Sequence, residues 1–531
     1  MRHLSYLSAL LSASACLAAR SPSAQQWAER SIYQVMTDRF ARPAGSPDEL
    51  CNPYNYCGGT WSGIIDKLDY IQDLGFTAVQ IFPVVENIPD DTLYGEAYHG
   101  YWPQNMYALN EYFGTADELR RLSKELHKRG MYLMVDVVNN DMAQAVNGST
   151  TDEDGPEINW SKLNDPDTSK KCWSSMEVVA LPDLKTEDQK GLVGNYSIDG
   201  LRVDATKQMD DAYLTSFSKA AGVFTMGEVY AKNTKAVCRY QGFVSGLLNY
   251  PLHGPMVQAF TAGNMPGLAA KVKDVQSECK DFTRLGTFME NHDTPRFASL
   301  HNDTTLAKNA MAFIILSDGI PIGQEQHMTG SSTPYNRSPF WETNYNKQHP
   351  LYNTTATLNK PRNHAIRMDR RHVTKHSKEL YVDGSVYTTR KGTQGSQVVS
   401  VFSNQGEHGA AYNLTIPGSF APDTKVVEVL SCQKTIMDRE GKLTVHMDGG
   451  EPKVFFPERK MDGLGLCGFK KRKGPVLGCS GTETITKGNG THTTVKTGSV
   501  GGDTFDQDSS GRGVSVPYTM ALLGAFAGVG I

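Results

Sequence analysis

Short apolar segments that end in a charged residue recur along the middle of the chain, and they constrain its fold more than any other feature. Segment 200–204 (GLRVD) ends in Asp204, segment 224–228 (FTMGE) ends in Glu228, and segment 286–293 (GTFMENHD) ends in Asp293. The C-terminal ends of successive parallel strands meet on one face of a barrel or at one edge of a sheet. The pattern therefore predicts a parallel sheet that brings these three carboxylates together.

Strand-like and helix-like patterns alternate around these segments. Apolar residues recur at helical spacing over 61–74 and 116–129. Each of these predicted helices is followed by a continuous apolar run of strand type, at 76–84 and 131–138. Further predicted elements are strands at 31–40, 245–249, 284–288 and 319–322 and a helix at 304–317. Continuous apolar strands separated by helices indicate a parallel sheet covered on both faces, and at this number of strands a barrel is favoured over an open sheet.

Two regions interrupt or end the alternation. Residues 140–183 are polar and irregular and are too long for a simple loop, which predicts a small inserted domain. From about residue 377 short strands with turn residues between them predict an all-β domain. The predicted fold is an α/β (β/α)8 TIM barrel (25–139 and 184–376) with an inserted domain after strand 3 (140–183) and a C-terminal β-sandwich (377–470).

Composition excludes some partners. The net charge of -4 and the pI of about 6.4 argue against nucleic acid or an anionic membrane surface. A length of 531 residues with 39% hydrophobic content suffices for a barrel-sized core and smaller domains.

Both termini carry features of a secreted protein. Residues 1–24 read as a signal peptide, because a basic start precedes an apolar run that is too short to span a membrane. Removal of Cys16 with this peptide leaves eight of the nine cysteines, and an even number suggests disulfides whose pairing the sequence alone leaves open. Residues 471–510 are rich in Ser, Thr and Gly, which predicts an extended stalk. Residues 511–531 resemble a glycosylphosphatidylinositol (GPI) attachment signal. We therefore expect a protein that is GPI-anchored at the plasma membrane or cell wall, on the extracellular face.

The three carboxylates also suggest a chemistry. Most strand-end Asp and Glu residues are simply solvated or cap a helix, but three in this order, with Arg202 and His292 beside them, favour a site. Paired carboxylates on either side of one bond are what glycoside hydrolysis requires.

At this point the residues carry a family resemblance. From about residue 27 to 467 the chain resembles the fungal α-amylases of glycoside hydrolase family 13, through GGTWSGIIDKLDYIQDLGFTAV, EAYHGYW, MYLMVDVV, NYSIDGLRVD, GEVY, ENHDTPRFAS and GQEQH. With the stalk and anchor signal, it is similar to the GPI-anchored amylase-like branch of filamentous fungi.

The resemblance implies a role for each matching residue. Asp204 matches the nucleophile, Glu228 the general acid/base and Asp293 the carboxylate that stabilises the transition state. Arg202 matches the arginine beside the nucleophile and is expected to keep Asp204 ionised. Residues expected to contact the sugar are His99, Tyr101, Trp102, Arg202, Lys207, Gln208, His292 and Arg337.

The chain also departs from the family pattern. Asp141 and Gln208 stand where the family has histidines that donate hydrogen bonds to the sugar. An ionised Asp141 can only accept, whereas Gln208 can still donate. The stretches at 185–195 and before GQEQH are shorter than usual.

Calcium and disulfides are further implications of the resemblance. The expected calcium ligands are Asn140, Asp183 and the backbone carbonyl of Gln208, but Lys170 stands where the family has a glutamate ligand, which predicts a weakened site. The implied disulfides are Cys51–Cys57, Cys238–Cys279 and Cys432–Cys467, with Cys172 and Cys479 not paired with each other.

Three functions stay open from the sequence. The leading hypothesis is a monomeric, endo-acting, retaining α-amylase that acts on α-glucans and hydrolyses them weakly, with a role in cell-wall α-glucan metabolism. The first alternative is a 4-α-glucanotransferase, which uses the same glycosyl-enzyme intermediate. The second is a non-catalytic glucan-binding protein.

Overall fold

The computed structural model describes residues 21–472, except 90, 93, 146–178, 181–189 and 324. Its strands, β1 to β20 in chain order, are Ile32–Val35, Ala78–Ile81, Val85–Asn87, Pro103–Leu109, Tyr132–Val137, Gln144–Ala145, Val179–Ala180, Gly200–Val203, Phe224–Gly227, Gly246–Leu248, Leu285–Phe288, Ile320–Gly323, Lys378–Val382, Val386–Lys391, Val398–Ser403, Tyr412–Ile416, Lys425–Glu428, Lys434–Ile436, Leu443–Met447 and Lys453–Pro457. Its α-helices are Ala24–Ala28, Thr37–Phe40, Trp61–Asp66, Leu68–Asp73, Ala116–Lys128, Lys190–Tyr196, Asp211–Ala221, Thr234–Cys238, Tyr250–Thr261, Met265–Glu278, Phe297–Leu300, Thr304–Leu316, Pro350–Met368 and Arg371–Thr374.

Eight parallel strands close into a barrel, as predicted. Around the ring the order is β1, β12, β11, β10, β9, β8, β5 and β2. Each barrel strand therefore pairs with the previous and the next barrel strand of the chain. β1 closes the ring by pairing with both β2 and β12. The barrel strands are apolar on both faces because side chains fill the interior while helices cover the outside. Phe224, Met226, Phe288 and Ile322, for example, belong to one buried cluster.

Two predicted elements differ in detail. The segment 31–40 is a strand only over Ile32–Val35, and it continues as the short helix Thr37–Phe40, whose Asp38 and Arg39 are buried. The segment 61–74 forms two helices instead of one, with the break at Lys67, where the backbone leaves helical geometry. Apolar periodicity does not reveal such breaks, since both helices bury the same face.

The chain leaves the barrel after β2 and after β5. After β2, β3 and β4 form an antiparallel hairpin. After β5, β6 pairs with β7 at the two ends of a stretch that lies mostly outside the described residues, where the inserted domain is predicted. Lys170, Cys172 and Asp183 also lie there.

The C-terminal part consists of two antiparallel sheets. One has six strands in the order β13, β14, β15, β20, β17 and β18, and the other pairs β16 with β19. Val399 and Val401 of the first sheet and Leu414 and Val445 of the second are buried in one cluster. The sheets therefore pack face to face, which confirms the predicted C-terminal β domain.

All three implied disulfides are present. The Cα–Cα distances are 5.2 Å for Cys51–Cys57, 4.9 Å for Cys238–Cys279 and 5.1 Å for Cys432–Cys467. Cys479, the predicted stalk and the predicted anchor signal lie outside the described residues, as does nearly all of the predicted signal peptide. No helix in the described part of the chain is long and apolar enough to cross a membrane.

Candidate active site

The three predicted carboxylates lie at the C-terminal face of the barrel. Asp204 directly follows β8, and Glu228 directly follows β9. β8 and β9 are parallel neighbours in which Val203 is opposite Gly227, so the two carboxylates leave their strands side by side. Asp293 lies in the segment after β11. The arrangement follows from strand register and had been anticipated from the sequence.

A single buried guanidinium joins two of these carboxylates. The Nη1 atom of Arg202 lies 2.5 Å from Oδ1 of Asp204, and its Nη2 atom lies 2.7 Å from Oε2 of Glu228. Nη1 also contacts both oxygens of Asp136 at 2.9 Å. Arg202 is only 1% exposed. A planar guanidinium offers separate nitrogens to carboxylates in different directions, whereas an ammonium offers a single nitrogen.

Charge at this centre is unevenly balanced. Burial raises the pKa of Asp204 well above its usual range; Arg202 opposes this shift, and the nearby Glu228 and Asp136 add to it. Arg202 therefore acts in the expected direction, favouring the ionised form of Asp204, while burial and the neighbouring carboxyl groups act against it. The ionised state of Asp204 stays a prediction.

Asp293 has the opposite environment. Its carboxylate lies 3.0 Å from Nε2 of His292 and 3.2 Å from Nη2 of Arg337. Burial acts to raise the pKa of Asp293, but His292 and Arg337 outweigh it and lower the pKa below its usual range. Asp293 is therefore ionised at neutral pH. Asp293 thus differs from Asp204, whose pKa is raised.

Two further groups at this centre had not been predicted. Asp136 in β5 binds Arg202 and accepts a 2.7 Å hydrogen bond from the hydroxyl of Tyr101. Tyr250 donates a 2.8 Å hydrogen bond to Oε1 of Glu228 and accepts one of 3.0 Å from the amide of Asn291. A charged residue inside an otherwise apolar strand could have drawn attention to Asp136. Nothing local distinguishes Tyr250 from an ordinary helix residue.

The predicted sugar contacts that carry rings pack against one another in an aromatic wall. They are His99, Tyr101, Trp102 and His292. Tyr101 and His292 stack with ring centroids 5.2 Å apart and planes 7° from parallel. Trp102 meets His99 edge-on at 4.7 Å and packs partly against a small apolar cluster. Burial, reinforced by Arg337, lowers the pKa of His99 well below its usual range, so this imidazole is neutral at pH 7. Because its Nδ1 accepts from the backbone N–H of Tyr101 at 3.0 Å, the proton lies on Nε2 and can be donated.

The residues that depart from the family pattern occupy different environments. Asp141 is 5% exposed, whereas Lys207 and Gln208 are exposed. The side-chain amide of Asn140 donates a 3.3 Å hydrogen bond to Oε1 of Gln208. Asn140 and Gln208 thus lie next to each other, as predicted.

The calcium prediction depends on residues at this same place. Asn140 and Gln208 offer amide and carbonyl oxygens, which suit calcium, but these are neutral. Within the described residues no group of three or more His, Cys, Asp or Glu side chains could hold a metal ion. Asp183 and Lys170 are not among those residues. The weakened calcium site therefore stays a prediction.

Comparison with known proteins agrees with the fold. A family model for the α-amylase catalytic domain matches residues 34–177 and 167–379, and one for α-amylase domain C matches 379–475. The chain is 44% identical to α-amylase 2 of Schwanniomyces occidentalis over 85% of its own length and 94% of that protein. It is 41% identical to an α-amylase of Saccharomycopsis fibuligera, over 83% and 94%.

A solved structure gives the same result in three dimensions. An α-amylase from Malbranchea cinnamomea superposes with a TM-score of 0.77 at 42% identity, covering 84% of this chain and 100% of that one. Sequence and structure therefore agree, and the chain belongs to the α-amylase family, with that family's catalytic domain and domain C.

Proposed function

We propose that this protein is a retaining glycosidase of the α-amylase type that cleaves α-1,4-glucosidic bonds inside starch-like glucans. The observation that carries the proposal is the bridging of Asp204 and Glu228 by Arg202. One guanidinium holds two carboxyl groups from adjacent strands close together, which suits the separation of about 5–5.5 Å that retaining enzymes use.

Each carboxyl group then has one role. The Asp204 carboxylate attacks the anomeric carbon while the bond from that carbon to the glycosidic oxygen breaks. Glu228, as the general acid, donates a proton to that oxygen, which leaves as a hydroxyl. Water then attacks the glycosyl ester, Glu228 takes a proton from the water, and Asp204 is released. Arg202 stabilises the charge that moves between the two groups.

The remaining residues stabilise the sugar as it gains positive charge. Asp293 is ionised and lies at the same face of the barrel as the pair, so its charge favours an oxocarbenium-like transition state. Nε2–H of His99 and the guanidinium of Arg337 are donors for sugar hydroxyls. The stacked rings of Tyr101 and His292 supply an apolar surface for the sugar ring.

Stereochemistry tests this proposal directly. We expect NMR of a maltooligosaccharide digest to show α-anomeric products first, because two inversions retain configuration. Asp204→Asn should remove nearly all activity, whereas Asp117→Asn, at a side chain that is 93% exposed, is the matched control. First-formed β-anomers would refute the proposed mechanism.

One set of observations favours glucan transfer as a second activity. Asp141 and Gln208 replace hydrogen-bond donors that would tighten on the reacting sugar, which raises the barrier to hydrolysis by about 1–3 kcal/mol if a buried group loses its partner. Beside the acid, Tyr230 is 65% exposed and packs edge-on against Tyr250 at 4.9 Å. An exposed ring at this position favours a sugar acceptor over water.

Sizing the products from maltoheptaose decides between these activities. Products longer than the substrate support transfer, and weak release of shorter products supports slow hydrolysis. Rapid formation of shorter products only would indicate an ordinary amylase. If the purified protein forms no products but binds maltoheptaose, it is a glucan-binding protein, and the enzymatic proposal fails.

We also propose that the protein acts as a GPI-anchored monomer at the cell surface, in cell-wall α-glucan metabolism. The support is the sequence of its two ends, a signal-like start and a stalk followed by small residues and an apolar tail. Phosphatidylinositol-specific phospholipase C should release it from intact cells. Retention after this treatment, with release by detergent alone, would argue against the anchor.

A further inference from the structure

Two tyrosines on different loops form an exposed corner at the catalytic face of the barrel. Tyr54 belongs to the connection after β1 and is 38% exposed; Tyr335 belongs to the connection after β12 and is 55% exposed. Their ring centroids are 6.3 Å apart, and their planes meet at 84°. We call this pair the tyrosine corner. Adjacent exposed aromatic rings form a candidate binding surface.

The loop that carries Tyr54 is held rigidly from below. The disulfide Cys51–Cys57 closes it, and Nη2 of Arg39 donates to the backbone oxygens of Pro53 at 3.0 Å and Asn55 at 2.8 Å. The backbone oxygen of Tyr54 itself accepts from the N–H of Glu96 at 2.9 Å. The ring is therefore exposed although its backbone is fixed, so binding a ligand would not lose conformational entropy by ordering this loop.

Tyr335 is held in a comparable way. It begins the short 3-10 helix Tyr335–Arg337. The next residue, Asn336, is 1% exposed, and its amide donates to the backbone oxygens of His292 and Thr294, both at 3.0 Å. Its backbone oxygen accepts from Nε of Arg296 at 2.6 Å. Asn336 thus fixes the helix and leaves Tyr335 facing outward.

The corner is continuous with the catalytic centre. Arg337, at the other end of the same helix, contacts Asp293 at 3.2 Å. The position of the corner also defines a direction. β1 and β12 are neighbours in the barrel, whereas β9, which delivers Glu228, is opposite β1 in the ring. Because the acid lies beside the leaving group, the corner lies toward the other part of the glucan, the non-reducing side.

We propose that Tyr54 and Tyr335 form a subsite that binds a glucose unit of an α-glucan on the non-reducing side of the cleaved bond. This inference rests on the proposed function. The apolar face of a glucose ring packs on an aromatic face, and the two hydroxyls of the corner can bond the sugar's hydroxyls. The subsite would fix how many glucose units lie on the non-reducing side, and hence the size of the glucan fragment that is released or transferred.

Cleavage of p-nitrophenyl maltoheptaoside tests this subsite. The variants Tyr54→Ala and Tyr335→Ala should weaken those substrate binding modes that place a glucose unit at the tyrosine corner. Cleavage should therefore move toward the non-reducing end, giving shorter unlabelled fragments and longer nitrophenyl products. The control is Ile436→Ala, which removes a side chain with the same 55% exposure from the C-terminal β domain. An unchanged product pattern in both tyrosine variants would overturn the subsite.

A binding measurement separates this inference from the proposed chemistry. In the Glu228→Gln background, calorimetric titration with maltoheptaose should show a Kd about tenfold weaker for each tyrosine variant, as for loss of one well-packed aromatic contact. Equal affinities for maltoheptaose, with unchanged melting temperatures, would overturn the inference even if the enzyme is active. If the wild type cleaves nothing but the tenfold loss is seen, the subsite stands and the proposed catalysis fails.

Discussion

Glu325 gives the sharpest quantitative test of this structure. It follows β12, is completely buried, and accepts hydrogen bonds from the hydroxyls of Tyr33 at 2.9 Å and Tyr70 at 2.5 Å. Among the described residues its second oxygen, Oε2, has no hydrogen-bond partner. Burial raises the pKa of Glu325 to about 7 from the ordinary 4.5, although the two tyrosines oppose the shift. The folded protein therefore holds a proton here that the unfolded chain releases.

The sign of the pH effect follows from this difference. Below pH 4.5 both states are protonated, and the contribution to stability is fully present. Between pH 4.5 and 7 the unfolded chain loses its proton first, so the free energy of unfolding falls as pH rises. A difference of about 2.5 pKa units corresponds to about 3 kcal/mol at 1.36 kcal/mol per unit.

The test compares the wild type with Glu325→Gln, which cannot ionise. Guanidinium unfolding at several pH values from 4.5 to 8 gives the free energy of unfolding for each protein. We expect the variant to gain about 3 kcal/mol relative to the wild type across this window, with no further change above pH 8. All other titrating groups are the same in the two proteins, so their effects cancel when the two free energies of unfolding are subtracted. A difference that is constant with pH would refute the reasoning.

Three other predictions concern the active site and metal. Arg202→Lys should lower kcat/KM about 100-fold, because a single ammonium nitrogen would replace the two guanidinium nitrogens that contact Asp204 and Glu228 separately; steady-state kinetics on soluble starch measures this, and a loss below threefold would contradict it. Tyr250→Phe should lower kcat/KM about tenfold or more, because it removes the hydrogen bond to Glu228. The control is Tyr381→Phe, which removes a hydroxyl that donates to Asp383 in the C-terminal domain and should leave kcat/KM unchanged. EDTA should lower the melting temperature less than in relatives that keep the glutamate ligand; a large loss reversed by calcium would show that other oxygens complete the site.

Local pattern was enough to predict the barrel and the position of the three strand-end carboxylates. Apolar runs of strand length between helical repeats specify a parallel sheet, because both faces of each strand must be buried. Strand ends place Asp204 and Glu228 correctly, since a residue that directly follows a strand emerges at a known face. The resemblance to a family added the disulfide pairs, which spacing alone left open.

Only the tertiary structure decided which groups meet. Asp136, Arg202 and Tyr250 come from different elements, and their hydrogen bonds exist because closure of the barrel brings the strand ends into one ring. The same closure makes β1 and β12 neighbours and so places Tyr54 beside Tyr335. The pKa of Asp204 likewise depends on burial and on several groups that are distant in the chain, besides Arg202. Sequence by itself thus determined the strands, the helices and the chemistry available at their ends, whereas the pairing, burial and protonation of those groups were set by contacts between residues far apart in the chain.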